Sequence, residues 1–522
     1  MSSRRDSSAD LLRNLLLCQG RRDASADLGM TIKGQVFSIL SSGLPLWVTR
    51  KVTEITIMNW TKILQIGLGT ALLCLVLAGI LFLPALGREI DVLGGQGEGD
   101  SDLYLPLMVK PFMLPDVVIG RVSLDSAGTE GNDASAGASI SADGRYVTFV
   151  SFANNLVSGD SNGRQDVFVH DRADGQTWRV SAASDGTEGN NVSAESTIAA
   201  DGRYVAFSSF ATNLVSSDTN ARSDIFVHGL QSGQTSRVSV TSTGAQVSGD
   251  SEWPALSADG RYVAFQSSAS NLVADDSNGF IDVFVHDRQS GETTLVSMAS
   301  GGTQGNQRSS NPTISGDGRY VAFVSYASNL VTGDTNNVGD IFVHDRQSGQ
   351  TNRVSVASGG GQANDESIGP VITADGRYVA FTSDASNLVN GDTNGQDDVF
   401  VHDRQTGQTN RISLAGGGGQ GNGNSSAPAI SADGRYVAFS SAASNLVTGD
   451  SNGFIDIFVH DRQSGQTTLV STAADGTQGN LTSSGPTISA DGRYIAFTSS
   501  ASNLVNGDAN NRADVFVYNG GP

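Results

Sequence analysis

Seven copies of one short loop carry most of the chain's chemical potential. Each reads Asp, one residue, Asn, three residues, Asp. The copies are Asp160, Asn162 and Asp166; Asp218, Asn220 and Asp224; Asp276, Asn278 and Asp282; Asp334, Asn336 and Asp340; Asp392, Asn394 and Asp398; Asp450, Asn452 and Asp456; and Asp508, Asn510 and Asp514. Oxygen-bearing side chains at positions 1, 3 and 7 of a glycine-bearing loop suit Ca²⁺, which takes six to eight hard oxygen ligands, with backbone carbonyls and water completing the shell. The bidentate Glu at position 12 of an EF-hand is missing. The same side chains could instead cap their own loops, accepting hydrogen bonds from nearby backbone N–H groups. Both readings are open. Sevenfold repetition favours a structural role under either, because a ligand site needs one place.

Other reactive types are sparse. All six histidines, His170, His228, His286, His344, His402 and His460, occupy one position of a repeated segment, and Tyr518 takes the seventh. A recurring His beside a Phe suits a hydrogen-bonded core residue, and six separate places do not converge on one ion. Neither a G-x-S-x-G nor an H-E-x-x-H motif is present. A lyase or glycosidase would need a carboxylate cluster in the channel that departs from the repeat, and the repeats do not display one. The chain is therefore expected not to be an enzyme, and no cofactor beyond Ca²⁺ is expected.

The elements that must position these residues repeat with a fixed period. The tetrapeptide DGRY begins at Asp143, Asp201, Asp259, Asp317, Asp375, Asp433 and Asp491, always 58 residues apart. One period holds four short strand patterns: PAISADG from Pro428, RYVAFSS from Arg435, DIFVHDR from Asp456 and TTLVSTA from Thr467. The Asp-Gly between the first two strands predicts a type I′ hairpin turn. Four antiparallel strands per repeat is the pattern of a propeller blade. The ends decide against a solenoid. The region opens on VIGRVSLDS at Val118, which matches a fourth strand, and closes on DVFVYNG at Asp514, which matches a third. Joining them completes a seventh blade and removes an exposed sheet edge. The expectation is all-β: a seven-bladed propeller over residues 118–522.

SADGRYVAFSS followed by DVFVHDRQSGQT and RVS resembles the TolB-like, WD-like β-propeller repeat family. The resemblance covers residues 118–522 and implies the propeller fold. The α/β domain that precedes the TolB propeller has no counterpart in residues 1–117, so a role in envelope assembly does not follow.

Alternate connections of such blades lie on opposite faces of the disc. The tight ADG and QSG turns share one face, and the long loops build the other, which is the candidate binding face. Aromatic residues vary there from blade to blade: Phe152, Phe210 and Tyr326 directly after the second strand, and Phe280 and Phe454 within the long loop. Such residues stack on sugars or anchor peptides. Trp178 and Trp253 are read as structural.

Residues 63–86 form an uncharged apolar run long enough for a transmembrane helix. Nine Lys or Arg and five Asp or Glu precede it, which places the N-terminus in the cytoplasm and the bulk of the chain outside. An uncleaved signal anchor is favoured over a cleaved signal peptide starting at Met58. Residues 1–62 are expected to be poorly ordered, and residues 87–117 to act as a linker. A net charge of −21, with no Lys after Lys110, excludes nucleic acid as a partner. The expected function is a single-pass, membrane-anchored protein-interaction or scaffold module outside the cytoplasm, binding a protein or glycan at the cell surface. The alternative is a carbohydrate-binding propeller, and less favoured is a propeller lyase or glycosidase.

Overall fold

A computed structural model describes residues 118–520, all in strands, turns and loops. The expected N-terminal segment, transmembrane helix and linker lie outside them, and no helix among the described residues is long and apolar enough to cross a membrane.

Seven four-stranded antiparallel sheets follow one another. Blade one is made of Ser135–Ile140, Tyr146–Ser151, Asp166–Asp171 and Gln176–Arg179. Blade seven combines Ser483–Ile488, Tyr494–Ser499 and Asp514–Asn519 with Val118–Arg121 from the other end of the described chain. Ile119 lies opposite Tyr518, and Val122 N–H donates to the Val515 carbonyl at 2.8 Å. The ring closes as the offset ends require.

The third strand of each blade is buried on both faces because its neighbours cover both. In blade one Asp166 to Asp171 are all buried. Val150, Val167, Val169 and Val180 of blade one pack against Ile198, Val205, Phe207 and Phe226 of blade two. Each blade also stacks two rings, as Phe149 and Phe168 do at 5.8 Å between centroids. Sandwiching aliphatic side chains of one blade against the ring pair of the next supplies the apolar burial that holds neighbours together.

In blades one to six a His–Thr pair fastens the blade to the preceding one. His170 Nδ1 lies 2.9 Å from Thr177 Oγ1, and that hydroxyl donates to the Leu124 carbonyl at 2.6 Å. The hydroxyl has one proton, so the imidazole Nδ1–H must be the donor to Thr177. Burial holds the six histidines below their ordinary pKa, consistent with neutral core rings.

The first hairpin turn differs from expectation. Gly144 N–H bonds to the Ser141 carbonyl at 2.9 Å, so Ala142 and Asp143 form the centre, and only Gly144 has positive φ (73°). A type I′ turn would need two left-handed residues. Here Asp143 instead uses its carboxylate to accept from Ser141 Oγ at 2.6 Å and Arg145 N–H at 3.0 Å.

The innermost strand of every blade slips register in its middle, as between Ala136 and Ser139. The third residue of each is left-handed: Gly137, Glu195, Trp253, Asn311, Gly369, Ala427 and Gly485, with φ between 51° and 65°. These seven bulges ring the central channel.

Candidate functional site

The Asp–Asn–Asp loops do bring their three side chains together. In blade one Asn162 Oδ1 accepts the Arg164 N–H at 2.6 Å, closing an Asx turn, while its amide donates to Asp166 Oδ2 and the Gly189 carbonyl at 2.9 Å. Asp166, fully buried, also accepts from Ser181 Oγ at 2.6 Å. The same arrangement recurs around Asp282 and Asp456, with Asn278 and Asn452 donating at 2.7 Å. The carboxylates of Asp166, Asp282 and Asp456 are thus met by protein donors, whereas in blade seven Asp508 Oδ1 is buried with no hydrogen-bond partner among the described residues.

A cation does sit among them in five blades, and it belongs to the protein. The fourth strand ends in Arg179, Arg237, Arg353, Arg411 or, in blade seven, Arg121. Arg121 Nη1 lies 2.7 Å from Glu130, 3.6 Å from Asp508 and 3.4 Å from Asp514. Arg411 Nη1 is 3.1 Å from both Asp392 and Asp398. Blades three and six carry Leu295 and Leu469 instead. There an amide donates without a guanidinium beside it: Gln304 Nε2 bonds Asp276 at 2.8 Å and Asp282 at 2.9 Å, as Gln362 bonds Asp334 and Asp340 next to Arg353 in blade four. Burial, then the charge of Asp276, pushes Asp282 up to about 6.

Two carboxylate groups among the described residues could hold a metal: Glu130, Asp508 and Asp514, and Asp160, Asp166 and Glu188. Both include a glutamate that the loop motif did not reveal, reached from the connection after the fourth strand. Burial, then the neighbouring aspartate, pushes Asp160 and Asp508 up to about 6. In each group an arginine nitrogen already lies 2.7 Å from the glutamate. A single Ca²⁺ site at 100 times its Kd would add about 2.7 kcal/mol to stability. With arginine in place, millimolar Ca²⁺ followed by EDTA is expected to leave the thermal midpoint unchanged. A shift of several degrees would show that the ion displaces the guanidinium.

The aromatic candidates separate into two kinds. Phe152, Phe210, Phe280 and Phe454 stand exposed on the long-loop face, Phe152 most of all at 54%. The N–H groups of Phe280 and Phe454 are held by Asn278 and Asn452 at 2.7 and 2.9 Å, so the Asx turn sets where these rings emerge. Tyr326 is different: its hydroxyl donates to Glu366 and the Arg308 guanidinium lies 4.3 Å over its ring. Trp178 and Trp253, read from sequence as structural, are both exposed.

The expectation of no carboxylates departing from the repeat in the channel is also revised. Glu195 and Glu252 stand on the innermost strands of blades two and three; other blades place Gly, Trp, Asn or Ala at the position of Glu195 and Ala, Ser or Ile at that of Glu252. Their signal was a mismatch between repeats at the second and third residues of that strand.

No family model and no curated protein matches this chain. Solved structures do. An oligogalacturonate lyase in complex with manganese aligns at 12% identity and a TM-score of 0.47, covering 83% of this chain and 96% of the lyase. The acylaminoacyl peptidase of Pyrococcus horikoshii aligns at 12% identity and 0.45, over 74% of this chain and 52% of that one. TolB of Acinetobacter baumannii aligns at 15% and 0.32, over 63% and 79%. The likeness is one of fold. At that level the TolB-like expectation is met. The expectation that the chain is not an enzyme is corrected, because a lyase and a peptidase stand among the solved structures that align with it.

Proposed function

We propose that this chain is an exported, membrane-anchored propeller whose long-loop face binds a protein partner at the cell surface. The observation that carries the reading is the exposure of Phe152, Phe210, Phe280 and Phe454 on that face, at positions that vary while the loops beneath them repeat. Rigid loops presenting a few exposed rings supply anchors at little entropic cost, as binding hot spots require. The apolar run over residues 63–86 and the charge bias before it support the anchor and the exported orientation.

The test replaces the four phenylalanines by alanine together. Their exposure predicts an unchanged melting midpoint. Cross-linking on intact cells should then lose the partner that the native chain captures. Retention of the same partner would overturn the reading, and glycan-array binding that vanishes with the same four rings would reassign the face to carbohydrate.

A further inference from the structure

The channel mouth is lopsided. Of the seven left-handed residues that ring it, Glu195, Trp253 and Asn311 form a continuous arc on blades two to four. The remaining positions are Gly369, Ala427, Gly485 and Gly137. A side chain added at Gly369 or Gly485 would meet nothing within 4 Å, and one at Gly137 only Val150 at 3.5 Å, so these blades present no bulky side chain at the equivalent positions.

The arc is wired across blades. Glu195 Oε2 accepts the Trp253 backbone N–H at 2.8 Å, fixing the position of a side chain that remains 48% exposed. Glu252 accepts from Gln266 Nε2 at 3.4 Å, and Gln266 Oε1 accepts the Asn311 N–H at 3.1 Å. Glu195 and Glu252 feel each other's charge, and neither enters an ion pair among the described residues. The buried loop carboxylates of five blades each have an arginine; these two have none. The same long-loop side of blade five adds Asp384 and Asp397, whose charges interact with those of Asp365 and Glu366.

We infer that the channel mouth on blades two to four is a docking site for a basic peptide segment, with one arginine or lysine side chain lodged between Trp253 and the Glu195–Glu252 pair. The indole face attracts a cation, the carboxylates pair with it, and the half-buried Asn311 amide offers hydrogen bonds to the peptide backbone. Charge complementarity selects this occupant: the chain carries −21 overall and has no lysine beyond Lys110. An acidic oligosaccharide would face two carboxylates without a balancing cation. The inference deepens the reading of the propeller as a protein-binding module, but names different residues from the rim phenylalanines, so the two fail separately.

The probe is a fluorescently labelled Gly-Ser-Arg-Ser-Gly peptide, compared by anisotropy with its citrulline isostere on the full chain in detergent. Citrulline keeps the shape and removes the charge. Arginine is expected to bind at least ~10-fold tighter than citrulline, as a desolvated cation–π contact plus a carboxylate pair implies. Glu195→Gln with Glu252→Gln should abolish that difference, Trp253→Phe should reduce it, and Phe280→Ala should leave it intact. If the double variant melts early, Glu252→Gln alone serves, since its side chain accepts one long hydrogen bond. Equal binding of the two peptides would overturn the inference, as would a difference that survives the Gln variants, no binding of either peptide, or Trp253-dependent binding of a neutral oligosaccharide in their place.

Discussion

Replacing Gly318 by alanine should destabilise the propeller by about 3–4 kcal/mol, far more than its single added methyl suggests. Gly318 sits in the first hairpin turn of blade four with φ near 73°. A Cβ there would lie 2.1 Å from Cδ2 of Tyr262 in the preceding blade. That ring cannot give way, because the guanidiniums of Arg261 and Arg346 lie over it at 4.7 and 4.5 Å, and Arg346 is itself tied to the Gly318 carbonyl at 2.7 Å. The cost combines a left-handed backbone, about 1 kcal/mol or more, with overpacking of about 1–3 kcal/mol. Gly349→Ala isolates the first part: its φ is 71°, but nothing lies within 4 Å of the new methyl. Urea denaturation of both variants gives the measurement. Equal losses would show that the tyrosine clasp between blades contributes nothing.

The second prediction is a gain. Leu295→Arg combined with Leu469→Arg should stabilise the chain by about 1–2 kcal/mol per site at pH 7.5, with most of the gain gone at pH 5. Five blades already show a guanidinium reaching this place. In blade three Asp282 is fully buried and titrates at about 6 rather than its ordinary 3.8. A carboxylate whose folded pKa is raised favours folding while protonated, and that advantage disappears as pH rises from about 4 to about 6. Above pH 6 the native chain therefore carries the full electrostatic penalty, up to about 2–3 kcal/mol for a shift of this size, and a new arginine relieves part of it. Below that range Asp282 is neutral and arginine has less to pair with. Asp456 in blade six is likewise raised, burial being the main cause. Urea midpoints of the native and double-variant chains at pH 7.5 and 5 measure the effect. A gain independent of pH would assign it to arginine's packing rather than its charge.

Period and offset made the fold legible. DGRY every 58 residues and a spare fourth strand at Val118 left little but a closed ring. The first turn was misread because Asp-Gly serves two kinds of hairpin. Only the bond from Gly144 to Ser141 places Asp143 outside the left-handed region. The loops were read as far as their own oxygens. Their cations come from a strand thirteen residues beyond the second aspartate, as Arg353 reaches Asp340, a pairing visible only once the strands are aligned. The channel arc was hidden for a related reason. Glu195 and Trp253 stand at equivalent positions 58 residues apart, but only the aligned strands show the Glu195 carboxylate accepting the Trp253 N–H.

The seventh blade also dictates an order of events. Arg121 and Asp514 are joined across 393 residues, so no nascent chain can complete the ring until its last strand has been made and delivered. A chain entering another compartment N-terminus first would hold Val118–Arg121 unpaired throughout, while six blades assemble one after another from local contacts. The slow step is then a loop closure nearly as long as the domain. Once it is made, blade seven becomes a latch: the ring can lose strands at either end only by opening there, so the lifetime of the native state, more than its equilibrium stability, would depend on that one pair of strands.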